Sequence, residues 1–125
     1  MPSVNMAIII GHCGREPEAR FTSGGSMVCN FSVATNHRYK PAGSDEWKES
    51  TEWHNVVVWG KQAEYVNENL SKGGLVYVQG RLQTRTWEKE GVKQYKTEIV
   101  AERVAIMGKG KQAEDTENSD ELPFE

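Results

Sequence analysis

With 125 residues, the chain has room for one small domain and a tail, and none for a second fold. Its apolar share of 37% permits a barrel-sized core, and the lack of any run of about 18 apolar residues excludes a membrane-spanning helix. The net charge of −3 conceals an asymmetry: residues 1–110 hold fourteen Lys and Arg against twelve Asp and Glu, whereas residues 111–125 hold one Lys against six acids. A slightly basic body joined to a strongly acidic tail implies two separate tasks.

Met1 to Ala7 lacks the basic and long apolar regions of a signal peptide. Cys13 and Cys29 stand outside any C-x-x-C pair and have no H-x-x-x-H companion, so they read as small strand residues in a reducing compartment and not as metal ligands. A cytoplasmic protein is expected, with no metal and no cofactor. Val4 to Gly11 is an apolar, β-branched run ending in glycine, the pattern of a buried strand. Arg15 to Glu18 contains a proline among charges and reads as a loop, and Gly24-Gly25 marks a turn. Met27 to Thr35 alternates, giving a second strand that continues toward Tyr39. Lys40 to Ser50, with Pro41, Gly43 and five charges, predicts a long exposed hairpin loop. Thr51 to Gly60 is the third strand.

From Lys61 to Lys72 the period changes: Ala63, Val66 and Leu70 form one stripe of a short helix, stopped by Gly73-Gly74. Leu75 to Trp87 predicts a fourth strand, Glu88 to Lys93 a charged turn with Gly91, and Gln94 to Met107 the last strand. Five strands with one helix between the third and fourth is the order of an all-β, Greek-key OB-fold barrel, assigned to residues 1–107. Residues 108–119 read as a short flexible linker. From Ala113 to Ser119 the composition is acidic and polar, and disorder is expected. Residues 120–125 form an acidic tip around Leu122-Pro123-Phe124.

Side chains alternate across a strand. On the third strand Trp53, Asn55, Val57 and Trp59 share one face, with Glu52, His54, Val56 and Val58 on the other. On the fourth, Arg81, Gln83, Arg85 and Trp87 share a face, with Val76, Val78 and Leu82 as core candidates. A solvated face needs no tryptophan, and a core face would not hold two arginines. Phosphates met by arginine and bases stacked on indole explain the combination. Trp47 lies in the charged loop, as an exposed stacking residue or as a contact on another subunit. His54 has no nucleophile or paired carboxylate placed to use it, so no catalytic residue is assigned and the chain is not expected to be an enzyme.

These residues resemble a known family. Val4-Asn5 through Gly11, Glu16-Pro17-Glu18 with Arg20-Phe21, Asn30 to Thr35, Thr51-Glu52-Trp53-His54-Asn55-Val56-Val57, Gly60-Lys61-Gln62-Ala63-Glu64, Lys72-Gly73, Val76 to Leu82 and Thr84-Arg85-Thr86-Trp87 are similar, in order, to the bacterial single-stranded DNA-binding proteins. The resemblance implies an OB-fold homotetramer that wraps single-stranded DNA and acts in replication, recombination and repair at the nucleoid. It places stacking residues at Tyr39, Trp53, Trp59 and Trp87, and phosphate contacts at Lys61, Lys72 and Arg85, with Arg81 and Arg20 added. His54 falls at a subunit contact, and the first strand, from Val4 and Asn5 onward, at the dimerising edge. The tail Asp120-Glu121-Leu122-Pro123-Phe124 resembles the element by which the family recruits replication and repair proteins. Glu125 departs from the pattern, because the family ends on the phenylalanine. Two other classes compete: an adaptor in a replication or conjugation complex whose DNA binding is incidental, and a nuclease, for which clustered carboxylates or histidines are lacking in the sequence.

Overall fold

The computed structural model describes residues 2–108. Thirteen-residue β3 (Met27–Tyr39) and twelve-residue β4 (Lys48–Trp59) run antiparallel from Val28↔Trp59 to Tyr39↔Lys48. Their alternation is the predicted one: Cys29, Phe31, Val33, Val56 and Val58 point into the core. Gly60, at φ 70°, turns the chain from β4 into helix α1 (Gly60–Asn69), a left-handed conformation that glycine adopts without steric cost. The helix buries Ala63 and Val66 against the barrel, with Leu70 just beyond its end.

The two longest strands, β5 (Leu75–Lys89) and β6 (Val92–Gly108), are joined at Glu90-Gly91, both at positive φ. That is the geometry of a two-residue hairpin turn. β1 (Ala7–Cys13) pairs with β5 from Ala7↔Gly80 to His12↔Leu75 and with β3 at His12↔Ala34 and Cys13↔Val33. β6 pairs in parallel with β4 at Asn55↔Glu98 through Val57↔Val100. The ring therefore closes in the order β1-β5-β6-β4-β3-β1, the five-stranded OB barrel.

Four findings amend the sequence reading. A sixth, short strand, β2 (Glu18–Phe21), occupies the same edge of β3 as β1, pairing Glu18↔Asn30 to Phe21↔Met27. Arg15 to Glu18 is thus a loop only up to its last residue. The first strand begins at Ala7, not Val4, and ends at Cys13. The hairpin loop is shorter than predicted, because β4 begins at Lys48. Leu82, a core candidate by parity, is 48% exposed. Its parity is right but the core has ended: from Arg81 onward β5 projects beyond the barrel as a ribbon with β6, and every β5 residue from Arg81 to Lys89 is exposed.

The core is small and valine-rich, with Val33, Val58, Val66, Val76 and Val78 fully buried, each contributing about 1.5–3 kcal/mol relative to exposure. Beyond its pairing with β4, the free edge of β6 is satisfied by the helix. Gln62 accepts from the Val104 N–H at 3.1 Å and donates to the Glu102 carbonyl at 3.0 Å, and the Tyr65 hydroxyl accepts from the Ile106 N–H at 3.1 Å. Backbone groups that would otherwise lack partners are thus paired. Both cysteines are free and buried; burial, then the neighbouring Cys13, pushes the Cys29 thiol up to about 11. A proton held that firmly makes for an inert thiol.

Candidate nucleic-acid interface

The outer surface of the barrel is assembled by register. Residues paired across strands point to the same side, so the pairs Ala34↔Trp53, Ser32↔Asn55, Asn30↔Val57 and Val28↔Trp59 carry one face from β3 to β4. Arg20 joins it through Arg20↔Val28. Asn55↔Glu98 and Val57↔Val100 carry the face onto β6, and Arg81↔Val100, Gln83↔Glu98, Arg85↔Lys96 and Trp87↔Gln94 carry it onto the β5–β6 ribbon. Trp53, Trp59 and Trp87 are 59%, 51% and 42% exposed. Three large indoles thus lie open on one continuous surface, at a clear solvation cost unless something covers them.

Two of the three rings have a local support. Trp53 lies across Gly14, where a Cβ would collide with the ring. Gly14, Arg15, Ser32, Trp53 and Asn55 line an open hollow of about 320 Å³. A narrower polar recess of about 110 Å³ lies beside it, lined by residues that include Arg15, Glu18, Asn55, Lys96 and Glu98. Trp59 precedes Gly60 at the N-terminus of α1, so Lys61 follows it in the first helical turn and is exposed. Trp87 carries the Arg85 guanidinium 5.6 Å from its ring centre, a cation–π arrangement that holds both side chains in place.

Two of the arginines on this face, Arg81 and Arg85, are not free charges. Arg85 donates two parallel hydrogen bonds to Glu98, Nε at 3.0 Å and Nη2 at 3.1 Å. Glu98 itself is buried, and Lys96 approaches it to 4.0 Å. Glu98, by hydrogen bond first and charge second, lifts the already high pKa of Arg85 further. Arg81 lies 3.7 Å from Glu102, both exposed, a weak pair. The Arg85–Lys96–Glu98 group keeps a surplus of one positive charge, with the guanidinium fixed in direction.

Of the other predicted site residues, Lys72 is exposed in the turn after α1, where its backbone N–H donates to Glu16 at 3.2 Å and Gly73 pairs with Cys13. Tyr39 is not brought to the tryptophan face: it pairs with Lys48, has the opposite parity to Trp53, and stacks on His37 with ring centres 5.9 Å apart. His54 is half-buried on the inner side and hydrogen-bonds Thr35 at 2.8 Å. Asn5 docks on β5 through a two-point contact with the backbone of Leu82, at 2.8 and 2.9 Å, extending the β1–β5 ladder in side-chain form. Val4 beside it is exposed. Asp120, Glu121, Leu122, Pro123 and Phe124 lie outside the described residues.

Sequence reasoning missed Gly14, Arg15 and Lys96 as parts of this surface. Gly14 and Arg15 sit in a loop that alternation cannot orient, and Lys96 enters only through the register of the last hairpin. Among the described residues no group of His, Cys, Asp and Glu is arranged to hold a metal ion, and no helix is long and apolar enough to cross a membrane.

Comparison with known proteins agrees with this fold. Residues 4–107 match the Single-strand binding protein family. The chain is 45% identical over 107 residues to Single-stranded DNA-binding protein 1 of Chlorobaculum tepidum, covering 84% of this chain and 65% of the relative, so it spans slightly less than two thirds of that protein. It superposes on the Plasmodium falciparum SSB in complex with ssDNA with a TM-score of 0.79 at 33% identity, over 86% of this chain and 97% of that one. A deletion mutant of the single-stranded DNA-binding protein from Thermus aquaticus gives a TM-score of 0.74 at 31% identity, over 83% and 50% of the two chains. Matched from Val4 to Met107, through every strand of the barrel, the chain belongs to the single-strand binding protein family.

Proposed function

We propose that this protein binds single-stranded DNA with little sequence preference and protects it during replication, recombination and repair. The family is a non-enzymatic, DNA-binding one. The carrying observation is the continuous outer face on which Trp53, Trp59 and Trp87 stand open beside Arg85, Arg81 and Arg20. Indole rings stack on any base, which gives affinity without a code. Lys61 and Lys72 add exposed cations at the ends of α1, and phosphate neutralisation by such groups releases counterions.

Assembly as a homotetramer is part of the same reading. The edge of β1 from Ala7 to Gly11 that faces away from β5 has no strand partner among the described residues. Val4, Met6, Ile8 and Ile10 line that segment at one parity, and all are exposed. An open edge bordered by apolar side chains invites a second copy. The acidic tip, residues 120–125, serves to recruit replication and repair proteins, and the protein works in the cytoplasm at the nucleoid.

The test is affinity for oligo-dT. Trp53→Ala and Trp87→Ala are each expected to weaken binding by about 1–3 kcal/mol with the thermal melt unchanged. Parent-like affinity in both variants would remove the assigned face. Light scattering with and without oligo-dT checks the tetramer, and a monomer at working concentration would refute that part.

A further inference from the structure

The tryptophan face does not end at the barrel. β3 and β4 stay paired through Asn36↔Thr51, Arg38↔Glu49 and Tyr39↔Lys48, well beyond the last core pair. Along this ribbon the even residues of β3 and the odd residues of β4 continue the side that carries Trp53. Trp47 lies one residue before β4 and is 59% exposed, as open as Trp53. Its side is fixed by contact as well as by parity: the Arg38 guanidinium is 5.2 Å from its ring centre, and the Lys40 ammonium 5.8 Å. Trp47 and Trp53 are thus on the same side, about 20 Å apart along the strand.

Charge separates this cluster from an ordinary surface aromatic. Neither Arg38 nor Lys40 forms an ion pair among the described residues, whereas Arg81 and Arg85 both do. Glu49, opposite Arg38 in the ladder, is the one acid among the paired residues of this side of the ribbon, and it lies beyond ion-pair distance. An apolar partner would cover the indole and strand two cations. A chain of phosphates bearing flat rings satisfies all three groups at once.

We propose that Trp47, flanked by Arg38 and Lys40, is a further single-stranded DNA contact that carries the DNA path off the barrel along the β3–β4 ribbon. A base stacks on the open part of the indole while its neighbouring phosphates take up Arg38 and Lys40. The inference rests on the single-stranded DNA reading above. On this side of the ribbon Trp47 supplies the ring that Tyr39 presents to the opposite side.

The experiment uses the full-length chain with two dT oligomers: one of about 8 nucleotides, within the span of a single OB fold, and one several times longer. Trp47→Ala is expected to lower affinity for the long oligomer about five- to tenfold and to leave the short one nearly unchanged. Trp47→Phe should retain most of the binding, and Tyr39→Ala should cost less than Trp47→Ala. Since Trp47 is exposed, melts of these variants should match the parent and exclude misfolding. If Trp47→Ala binds the long oligomer like the parent while Trp53→Ala is weakened, the ribbon contact is refuted and the barrel face stands. Parent-like binding in Trp47→Ala, Trp53→Ala and Trp87→Ala together overturns the DNA reading and this inference with it. A change of oligomeric mass in Trp47→Ala, with unaltered DNA affinity, assigns the cluster to a contact between copies and also overturns it.

Discussion

Two ribbons leave the barrel, and they handle the same two ingredients in opposite ways. On β5–β6, Arg85 is forked onto buried Glu98 and laid over Trp87, so cation, carboxylate and indole form one fixed unit. On β3–β4, Arg38 and Lys40 flank Trp47 with no ion-pair partner among the described residues. The first arrangement gives up charge for direction: a locked guanidinium keeps its donors aimed and holds the ring in place. The second keeps its charge and leaves direction to be set when DNA arrives. One surface can therefore combine a positioned site, close to the barrel, with a more strongly attracting one at its periphery.

The sharpest way to break the fixed unit is at its root. Gly80 sits where the β5–β6 register shifts and the ribbon departs, and a Cβ there would run into the backbone of Val100. A backbone obstacle cannot rotate away, so Gly80→Ala is expected to destabilise the fold by about 2–3 kcal/mol in urea unfolding. A parent-like midpoint would show that the ribbon is not anchored there. Arg85→Ala comes next. It leaves the Glu98 carboxylate buried with only Lys96, at 4.0 Å, to answer it. Loss of one partner from a fully buried pair costs about 3–5 kcal/mol, but Arg85 is half exposed, so about 1–2 kcal/mol is expected here. The two ribbons should also part company in salt titrations of DNA binding. Replacing Arg38 alone with alanine should flatten the slope by about 0.7, the value for one phosphate on a single strand, and more than Arg85→Ala, whose guanidinium is already engaged by Glu98. Equal slopes in the two variants would erase the distinction.

The contrast also marks what was legible in the sequence. Alternation put Trp53 and Trp59 on one face of β4 and Val56 and Val58 on the other, and the structure leaves the two indoles open and the two valines in the core, although Val57, on the tryptophan side, is buried as well. The same rule failed at Leu82, where the strand outlives the core and inner parity no longer means buried. It gave no sign of β2, whose residues Glu18 to Phe21 are all exposed and are ordered by pairing to β3 on a single edge. Tyr39 was grouped with the tryptophans by resemblance, although its odd position on β3 sets it on the other side from Trp53. The Arg85–Glu98 fork spans a hairpin and joins diagonal neighbours, a relation that depends on where the Glu90-Gly91 turn sets the register. Trp47 was legible as an oddity in a charged loop, but not as part of a face, since only its packing against Arg38 and Lys40 orients it.

Gly14 offers the finest test of how firmly a ring must be held. The Trp53 indole rests directly on it, and an added methyl would overlap the outer edge of the ring. Here the obstacle is the far end of a side chain, so the ring can swing aside at a cost on the order of 1 kcal/mol for leaving its rotamer. Gly14→Ala should therefore leave unfolding almost untouched, alter the tryptophan fluorescence of the free protein, and weaken oligo-dT binding by about 1 kcal/mol or less. The expected weakening is smaller than that of Trp53→Ala because the indole remains, displaced from its place beside Asn55 and Ser32. If affinity and fluorescence are both unchanged, the glycine plays no part in orienting the ring.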